Sequence, residues 1–176
     1  MSGHNKWSQI KNKKAATDAK KSKIFSKMVR LITMESKKAG GNLSSPGLKM
    51  AIERAKAANT PNDVIDRAVK KGTGSEAGTM EPITYEAYGP GGCALIIETL
   101  TDNRNKTAQE VKHILSLNGF ELAGIGSATW AFEKTHEGWN PKTTTPISEE
   151  DGAKLEKLIS DLEDNDEVQE VFTNAE

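Results

Sequence analysis

The chain has 176 residues, which is enough for one domain of ordinary size or two small ones. Its single cysteine, Cys93, excludes an internal disulfide framework and any cysteine-based zinc site. The longest unbroken apolar run, from Cys93 to Ile97, is far shorter than the roughly 20 residues that cross a bilayer. We therefore expect a soluble, cytoplasmic protein without a membrane-spanning segment.

The charges are divided unevenly along the chain. Residues 1–72 contain 17 Lys and Arg against 5 Asp and Glu, whereas residues 73–176 contain 7 against 20, so that the net charge is −1. A basic segment indicates a polyanion partner, because clustered Lys and Arg attract phosphate. Two other interpretations stay open: the charges only solvate the surface, or the two halves of the chain pair with each other.

The first 14 residues form a polar, Lys-rich arm in which Trp7 and Ile10 are isolated apolar anchors. From Ala15 to about Ala39, apolar residues recur every three or four positions, which predicts an amphipathic helix. Gly40 follows directly, and glycine accepts the left-handed backbone that often ends a helix.

Two further helices follow, and each is preceded by a start signal. Ser45-Pro46 offers a hydroxyl cap and a proline at the first helical position, and Thr60-Pro61 repeats the pattern. The third helix is predicted to stop at Gly72. Three helices in this stretch predict a small helical bundle.

A domain boundary is predicted within residues 72–82, which are rich in Gly and nearly free of apolar side chains. The sign of the charge changes at the same place. We therefore divide the chain into a basic arm and helical domain, residues 1–76, and an acidic domain, residues 77–176.

Beyond the boundary, strand-like runs alternate with amphipathic helices. A capping box at Thr107–Glu110 and a cap at Ser148 are predicted to open two helices. The predicted strands are Ile83–Tyr88, Cys93–Leu100, Ala128–Phe132, Trp139–Ile147 and Val168–Phe172. This order predicts an α+β sandwich with a mostly antiparallel sheet and helices on one face.

No arrangement of residues indicates catalysis. His4, His113 and His136 are far apart and lack partners at metal-ligand spacing, and no Gly-rich phosphate-binding motif is present. We therefore predict a protein that is not an enzyme and has no metal, no cofactor and no small-molecule substrate.

Two segments have the composition of a nucleic-acid contact. Residues 1–30 contain nine Lys and Arg and a single acid, Asp18, with Trp7 among the lysines as a possible stacking partner. The alternative for Trp7 is that it pins the arm onto the bundle. Residues 101–107 lie between a predicted strand and a helix N-terminus, where backbone N–H groups can bind phosphate, although a polar capping loop explains them equally well.

The candidate nucleic-acid-binding residues are the cations of these two segments together with one aromatic residue. They are Lys6, Trp7, Lys11, Lys13, Lys14, Lys20, Lys21, Lys23, Lys27, Arg30, Arg104 and Lys106.

Several motifs resemble those of a known family. They are Gly3-His-Asn-Lys-Trp7, Lys23-Ile-Phe25, Asn59-Thr-Pro61, Arg67-Ala-Val-Lys-Lys-Gly72, Tyr85-Glu-Ala-Tyr-Gly-Pro-Gly-Gly92, Thr101-Asp-Asn-Arg-Asn105 and Gly126-Ser-Ala-Thr-Trp130. Together they resemble the YebC/PmpR family of probable transcriptional regulators, which has a mitochondrial translational-activator branch. The resemblance implies an N-terminal helical domain followed by a ferredoxin-like α+β domain.

The resemblance also implies a difference from most members of that family. They carry a further domain after the strand that corresponds here to Ala128–Phe132, whereas only Glu133 to Gly138 separates that strand from the resumed pattern. We therefore expect a short form that lacks the inserted third domain.

The leading functional hypothesis is a DNA-binding transcriptional regulator that grips the phosphate backbone with its Lys-rich arm and first helix. The alternative is a ribosome-associated or ribosomal-RNA-associated translation factor that relieves stalling on proline-rich sequences, as the resemblance implies. A third hypothesis is a protein-interaction adaptor whose acidic half binds a basic partner.

Overall fold

The computed structural model describes residues 18–75, 78–136 and 138–176. It divides the chain into two compact units, one from Ala16 to Glu81 and one that includes Pro82 to Glu176. Each unit has its own hydrophobic core and is described by itself.

The first unit consists of three helices, α1 (Asp18–Ala39), α2 (Pro46–Ala57) and α3 (Asn62–Thr73). One apolar stripe from each helix faces the others, as the three-to-four-residue spacing requires. The buried residues of this core are Ile32, Leu48, Ala51, Ala55, Ile65 and Ala68.

The helix starts differ from the predicted caps. Ser45 occupies the N-cap of α2 and Pro46 its first position, but the Ser45 side chain makes no capping hydrogen bond. At α3 the N-cap is Pro61 rather than Thr60, and the Thr60 hydroxyl is buried without a hydrogen-bond partner. Proline therefore starts both helices by fixing the backbone, and the hydroxyl groups contribute no bond to the helix ends.

Helices α1 and α3 cross at very short range. The Ser36 hydroxyl donates to the Val69 carbonyl at 2.7 Å, and Gly72 is buried against the same turn of α1. A Cβ atom at Gly72 would lie 2.6 Å from Ser36 Cβ and 2.6 Å from the Thr33 carbonyl oxygen. The missing side chain of Gly72 therefore permits this crossing.

Over residues 82–136 and 138–176, the second unit is an α+β structure with two α-helices and six strands. The helices are α4 (Arg104–Leu117) and α5 (Glu149–Glu163). The strands are β1 (Glu81–Tyr88), β2 (Ala94–Thr101), β3 (Leu122–Ala123), β4 (Phe132–Thr135), β5 (Gly138–Pro141) and β6 (Val168–Thr173).

Four of these strands form one sheet in the order β3-β1-β2-β6, and β4 and β5 form a separate hairpin. Strand β2 pairs with β6 in antiparallel register, with Leu95 opposite Thr173. Leu95 and Ile97 belong to the core shared with α4 and α5, whereas Ala94 and Ile96 pack with Phe132 of the hairpin. The predicted α+β class with a mostly antiparallel sheet and a preceding helical bundle is confirmed.

The β4–β5 hairpin is attached to the sheet by a charged side chain of β2. The Trp139 indole N–H donates to Glu98 Oε1 at 2.7 Å, and the Lys134 ammonium lies 3.6 Å from the same oxygen. Lys134 also lies 4.5 Å from the centre of the Trp139 ring, which favours a cation–π contact. The hairpin thus covers the sheet face that α4 and α5 leave open.

Three sequence predictions for this unit are wrong. The strand predicted over Trp139–Ile147 is limited to β5, which ends at Pro141. Helix α4 begins at Arg104, one turn before the predicted capping box, and Asn103 caps it by accepting the Lys106 N–H at 3.1 Å. The Thr107 hydroxyl instead donates to the Asn103 carbonyl at 3.2 Å. Ala128–Phe132 is not a strand, because Thr129–Ala131 forms a 3-10 turn and β4 starts only at Phe132.

Candidate nucleic-acid interface

The helical unit presents a surplus of positive charge to solvent. Over residues 21–75 and 78–81, the part of this unit whose side chains are described, the exposed acidic residues are Glu53, Asp63 and Asp66. Over the same residues the exposed cations are three times as many: Lys21, Lys37, Lys38, Lys49, Arg54, Lys56, Arg67, Lys70 and Lys71. Such a surplus raises the local potential and attracts phosphate.

Four of these lysines are brought together by the close crossing of α1 and α3. Lys37 and Lys38 lie in the last turn of α1, and Lys70 and Lys71 lie in the last turn of α3. The two turns meet where Ser36 bonds to the Val69 carbonyl. Cations at a helix C-terminus interact favourably with the helix dipole, which explains part of this placement. This end of the helical unit therefore carries a concentration of positive charge.

Two of these exposed cations form ion pairs within the helical unit. Arg67 lies 3.1 Å from Asp63, and Lys38 lies 3.7 Å from Glu35. Exposed pairs of this kind contribute less than about 1 kcal/mol and are screened by salt. A phosphate chain can therefore compete with them.

The structure places the sequence candidates of the N-terminal segment in different situations. Lys21 is exposed, Lys23 and Arg30 are half-buried, and Lys27 is only 7% exposed. Lys27 has little surface left for a phosphate contact, because its long side chain is enclosed by the fold. The side chain of Lys20 lies outside the described residues, as do Lys6, Trp7, Lys11, Lys13 and Lys14.

The loop before α4 is a capping structure. The Thr101 hydroxyl accepts the Asn103 N–H at 2.9 Å, and the Asn103 side chain in turn occupies the Lys106 N–H. The Lys106 ammonium lies 3.8 Å from Glu110 on the same helix. The backbone N–H of Lys106 is thus not open to a phosphate, whereas the side chains of Arg104 and Lys106 are exposed.

A cavity of about 290 Å³ lies beside the start of α4. Arg104 and Asn105 line it from the helix, Tyr85 from β1, and Ile125 from the segment after β3. Arg104, one of the predicted nucleic-acid-binding residues, thus lines a largely apolar cavity that the sequence did not predict.

A buried carboxylate organises the segment after β3. Glu86 of β1 is 5% exposed and accepts the Gly126 N–H at 2.7 Å and the Ala128 and Thr129 N–H groups at 2.8 Å each. Burial raises the pKa of Glu86, but these backbone donors and the Thr129 hydroxyl outweigh it, so the pKa is lowered overall. Glu86 is therefore ionised at neutral pH and fixes the loop that follows β3.

Three large apolar side chains at this loop are exposed to solvent: Tyr88 at 37%, Ile125 at 101% and Trp130 at 57%. The Trp130 indole N–H donates to the Tyr88 hydroxyl at 2.9 Å, and that hydroxyl donates to the Ser127 carbonyl. We call Tyr88, Ile125 and Trp130 the apolar platform. The sequence pattern places Trp130 in a strand and therefore does not predict the platform, although the glycines Gly124 and Gly126 just before it indicate a turn.

Neither a metal cluster nor a membrane-spanning helix is found in the described part of the chain. Among residues 18–75, 78–136 and 138–176, no three His, Cys, Asp or Glu side chains are placed to hold a metal ion together. None of the helices in those ranges combines the length and apolarity needed to cross a bilayer.

Comparison with protein families gives two matches that together extend over most of the chain. Residues 5–75 match the TACO1/YebC protein N-terminal domain. Residues 80–137 and 134–175 match the TACO1/YebC second and third domain.

Curated relatives and a solved structure agree with these matches. A probable transcriptional regulatory protein of Fervidobacterium nodosum is 40% identical over 99% of this chain and 93% of its own length. One of Chlorobaculum parvum is 48% identical over 95% of this chain and 67% of its own length. The crystal structure of the conserved hypothetical protein Aq1575 from Aquifex aeolicus superposes with a TM-score of 0.84 at 31% identity, covering 98% of this chain and 97% of that one.

The alignments also indicate a segment that this chain does not have. The alignment with the Fervidobacterium protein spans 235 positions, so at least 59 of them (235 − 176) have no residue in this chain. The match to the second and third domain comes in two parts, which meet and overlap at residues 134–137 near the tip of the β4–β5 hairpin. This fits the short form expected from the sequence. By its family matches, its relatives and its fold, the chain belongs to the TACO1/YebC family.

Proposed function

We propose that this chain is a cytoplasmic, non-enzymatic regulator of gene expression that binds DNA through the phosphate backbone. The observation that carries the proposal is the surplus of exposed cations on the helical unit. The name of its relatives, probable transcriptional regulatory protein, supports the regulatory role. Phosphate contacts fix position on DNA but carry no base sequence.

In this proposal residues 1–76 form the nucleic-acid-binding domain, and residues 77–176 are an acidic domain that keeps the basic one oriented toward DNA. The Lys-rich segment to Arg30 supplies phosphate contacts, and the exposed lysines of α2 and α3 extend that surface. Arg104 and Lys106 provide a second, smaller anchor.

The test is the salt dependence of binding to a short DNA duplex. For B-DNA, a plot of log K against log salt has a negative slope, and this slope becomes shallower by about 0.9 for each phosphate contact that is lost. A variant with four Lys→Ala changes should therefore lose up to about 3.6 units of slope if each lysine contacts one phosphate. The variant changes Lys11, Lys13, Lys14 and Lys21.

A control variant removes lysines from the acidic unit, namely Lys112, Lys154 and Lys157, which are all exposed. Its slope should equal that of the wild type. An unchanged slope in the first variant, or an equal change in both variants, would contradict the proposed interface. Wild-type protein that binds no duplex at low ionic strength would contradict DNA binding altogether.

A second candidate function is a translation factor that binds ribosomal RNA. The exposed cations suit it equally well, since seven of the nine are lysines and the guanidinium of Arg67 is engaged by Asp63. Lysine acts as a point charge and arginine is the usual bidentate reader of guanine, so this surface does not discriminate DNA from folded RNA.

Sedimentation of a cell lysate at physiological salt separates the two candidates. Co-migration of the protein with ribosomal subunits, abolished by ribonuclease, supports translation. Absence from the ribosomal fractions together with DNA binding in vitro supports transcription.

A further inference from the structure

The apolar platform is exposed although its surroundings are rigid. Ile125 is fully exposed and Trp130 more than half exposed, and the loop that carries them is fixed by three backbone hydrogen bonds to Glu86. Apolar groups that stay in water on a fixed loop cost solvation free energy, and such surfaces mark binding sites. A flexible loop could rearrange to bury these side chains, whereas the hydrogen bonds to Glu86 hold this loop in one conformation.

The polar edges of both aromatic rings are already used within the platform. The indole N–H of Trp130 donates to the Tyr88 hydroxyl, and that hydroxyl donates to the Ser127 carbonyl. What remains for a ligand is the flat face of the indole. A ring face held in one orientation suits stacking against another flat ring, which is how proteins bind unpaired bases irrespective of their sequence.

The sheet itself offers no such surface. In α+β domains that bind RNA on an open sheet, aromatic side chains on that sheet stack on bases. Here both faces of β2 are covered, one by α4 and α5 and the other by the hairpin residue Phe132. Exposed aromatic rings are therefore found at the loop beside the sheet instead.

The charge near the platform fits an anionic chain. Lys142 follows β5, and its backbone N–H donates at 2.7 Å to the carbonyl of Ala131, the neighbour of Trp130. Lys142 is exposed and makes no ion pair with the described residues. Four other lysines of this unit are each paired with a carboxylate: Lys106, Lys134, Lys154 and Lys157.

We propose that Trp130, held in place by Tyr88, is a stacking site for an unpaired nucleobase, and that Lys142 contacts the phosphate next to it. This inference rests on the proposed function, because it adds single-stranded DNA or RNA to the nucleic acids that the chain binds. It gives the acidic unit a role in single-strand binding, which is separate from the duplex contacts of the helical unit.

The experiment measures the affinity of the protein for a fluorescent single strand of about 15 thymidines and for a duplex of the same length. About 15 nucleotides is near the upper site size of single-strand binders. Trp130→Leu removes the aromatic face, and it should weaken single-strand binding about tenfold and leave duplex binding unchanged. Trp130→Phe keeps a stacking face and should restore most of the affinity. Leu117→Ala is the matched control, because Leu117 is 71% exposed and lies at the far end of α4 from the cavity.

Each outcome decides the matter. Unchanged single-strand affinity in Trp130→Leu, or an equal loss for single strand and duplex, overturns the platform. An equal loss in Trp130→Phe and Trp130→Leu overturns stacking. If the variants do not fold, ultraviolet crosslinking of a bromouridine-containing strand to the wild-type chain replaces them, and crosslinks that avoid Tyr88 and Trp130 overturn the proposal.

The results that refute the proposed function differ from those that refute the stacking site at Trp130. Wild-type protein that binds neither strand form at low salt refutes the proposed function. Wild-type protein that binds the duplex through its helical unit while Trp130→Leu has no effect on the single strand refutes only the platform. A loss of protein partners without any change in nucleic-acid affinity assigns the platform to protein docking and also refutes this inference.

Discussion

Replacement of Glu86 by glutamine tests how the exposed loop is held. The carboxylate accepts the Gly126 N–H with one oxygen and the Ala128 and Thr129 N–H groups with the other. Glutamine keeps one acceptor oxygen and places an amide donor where the second oxygen was. The Gly126 N–H then faces another donor, and the two remaining bonds lose their charge assistance.

The expected cost follows from these three bonds. A hydrogen bond to a charged group contributes about 1.5–3 kcal/mol, and a neutral one about 0.5–1.5 kcal/mol. At the middle of these ranges, loss of one charged bond and weakening of two others gives about 4–5 kcal/mol for Glu86→Gln. The change in urea midpoint should report this loss, and amide exchange should accelerate at Gly126, Ala128 and Thr129.

The loss should also depend on pH. Because the folded state lowers the pKa of Glu86 from its ordinary value of 4.5, the carboxylate stabilises the fold fully above that value. This contribution disappears as the pH falls through the lowered pKa, so the difference between wild type and Glu86→Gln should shrink in acid. Glu121→Gln is the control, since Glu121 is exposed and its replacement should change stability by less than about 0.5 kcal/mol. A difference below that size for Glu86→Gln, with unchanged amide exchange, would refute the reasoning.

Two further predictions concern the cores of the two units. Gly72→Ala should destabilise the helical unit by about 1–3 kcal/mol, because the new methyl group meets Ser36 and the Thr33 carbonyl oxygen at 2.6 Å. Thermal unfolding measures this change, and Gly78→Ala is the control, because a Cβ atom there has no neighbour within 4 Å and the backbone is not left-handed. Burial raises the pKa of the Cys93 thiol, so a maleimide at neutral pH should label Cys93 only after unfolding in urea. Labelling of the native protein as fast as that of the unfolded chain would contradict this burial.

Local patterns predicted most of the helices and the central strands. The apolar spacing around Ile32 and Leu158 identifies a helical face without knowledge of its partners, because helical periodicity is set by the backbone alone. The start of α4 was misplaced for a local reason. Asn103 and Thr107 are both good caps one turn apart, and only the structure shows that Asn103 is the one used.

The candidate site depends on contacts that are distant in sequence, and these could not be predicted. Ala128–Phe132 has the composition of a strand, but Glu86, about forty residues earlier, captures the N–H groups of Ala128 and Thr129 and bends the chain into a turn. Lys27 lies on a helix whose lysines all look alike in sequence, and its burial follows from packing rather than from helical phase. The division into a basic first part and an acidic second part, by contrast, is evident from the sequence alone.

The β4–β5 hairpin has a consequence for how proteins of this kind gain and lose modules. Thr135 and Gly138 are paired neighbours, so the chain leaves and re-enters the body of the fold at almost the same point. A polypeptide of any length grafted there has its two ends already together, and the entropic cost of closing it grows only logarithmically with its length. The tip of the β4–β5 hairpin is therefore a site where a domain can be inserted or deleted while the strand pairing of the sheet stays unchanged.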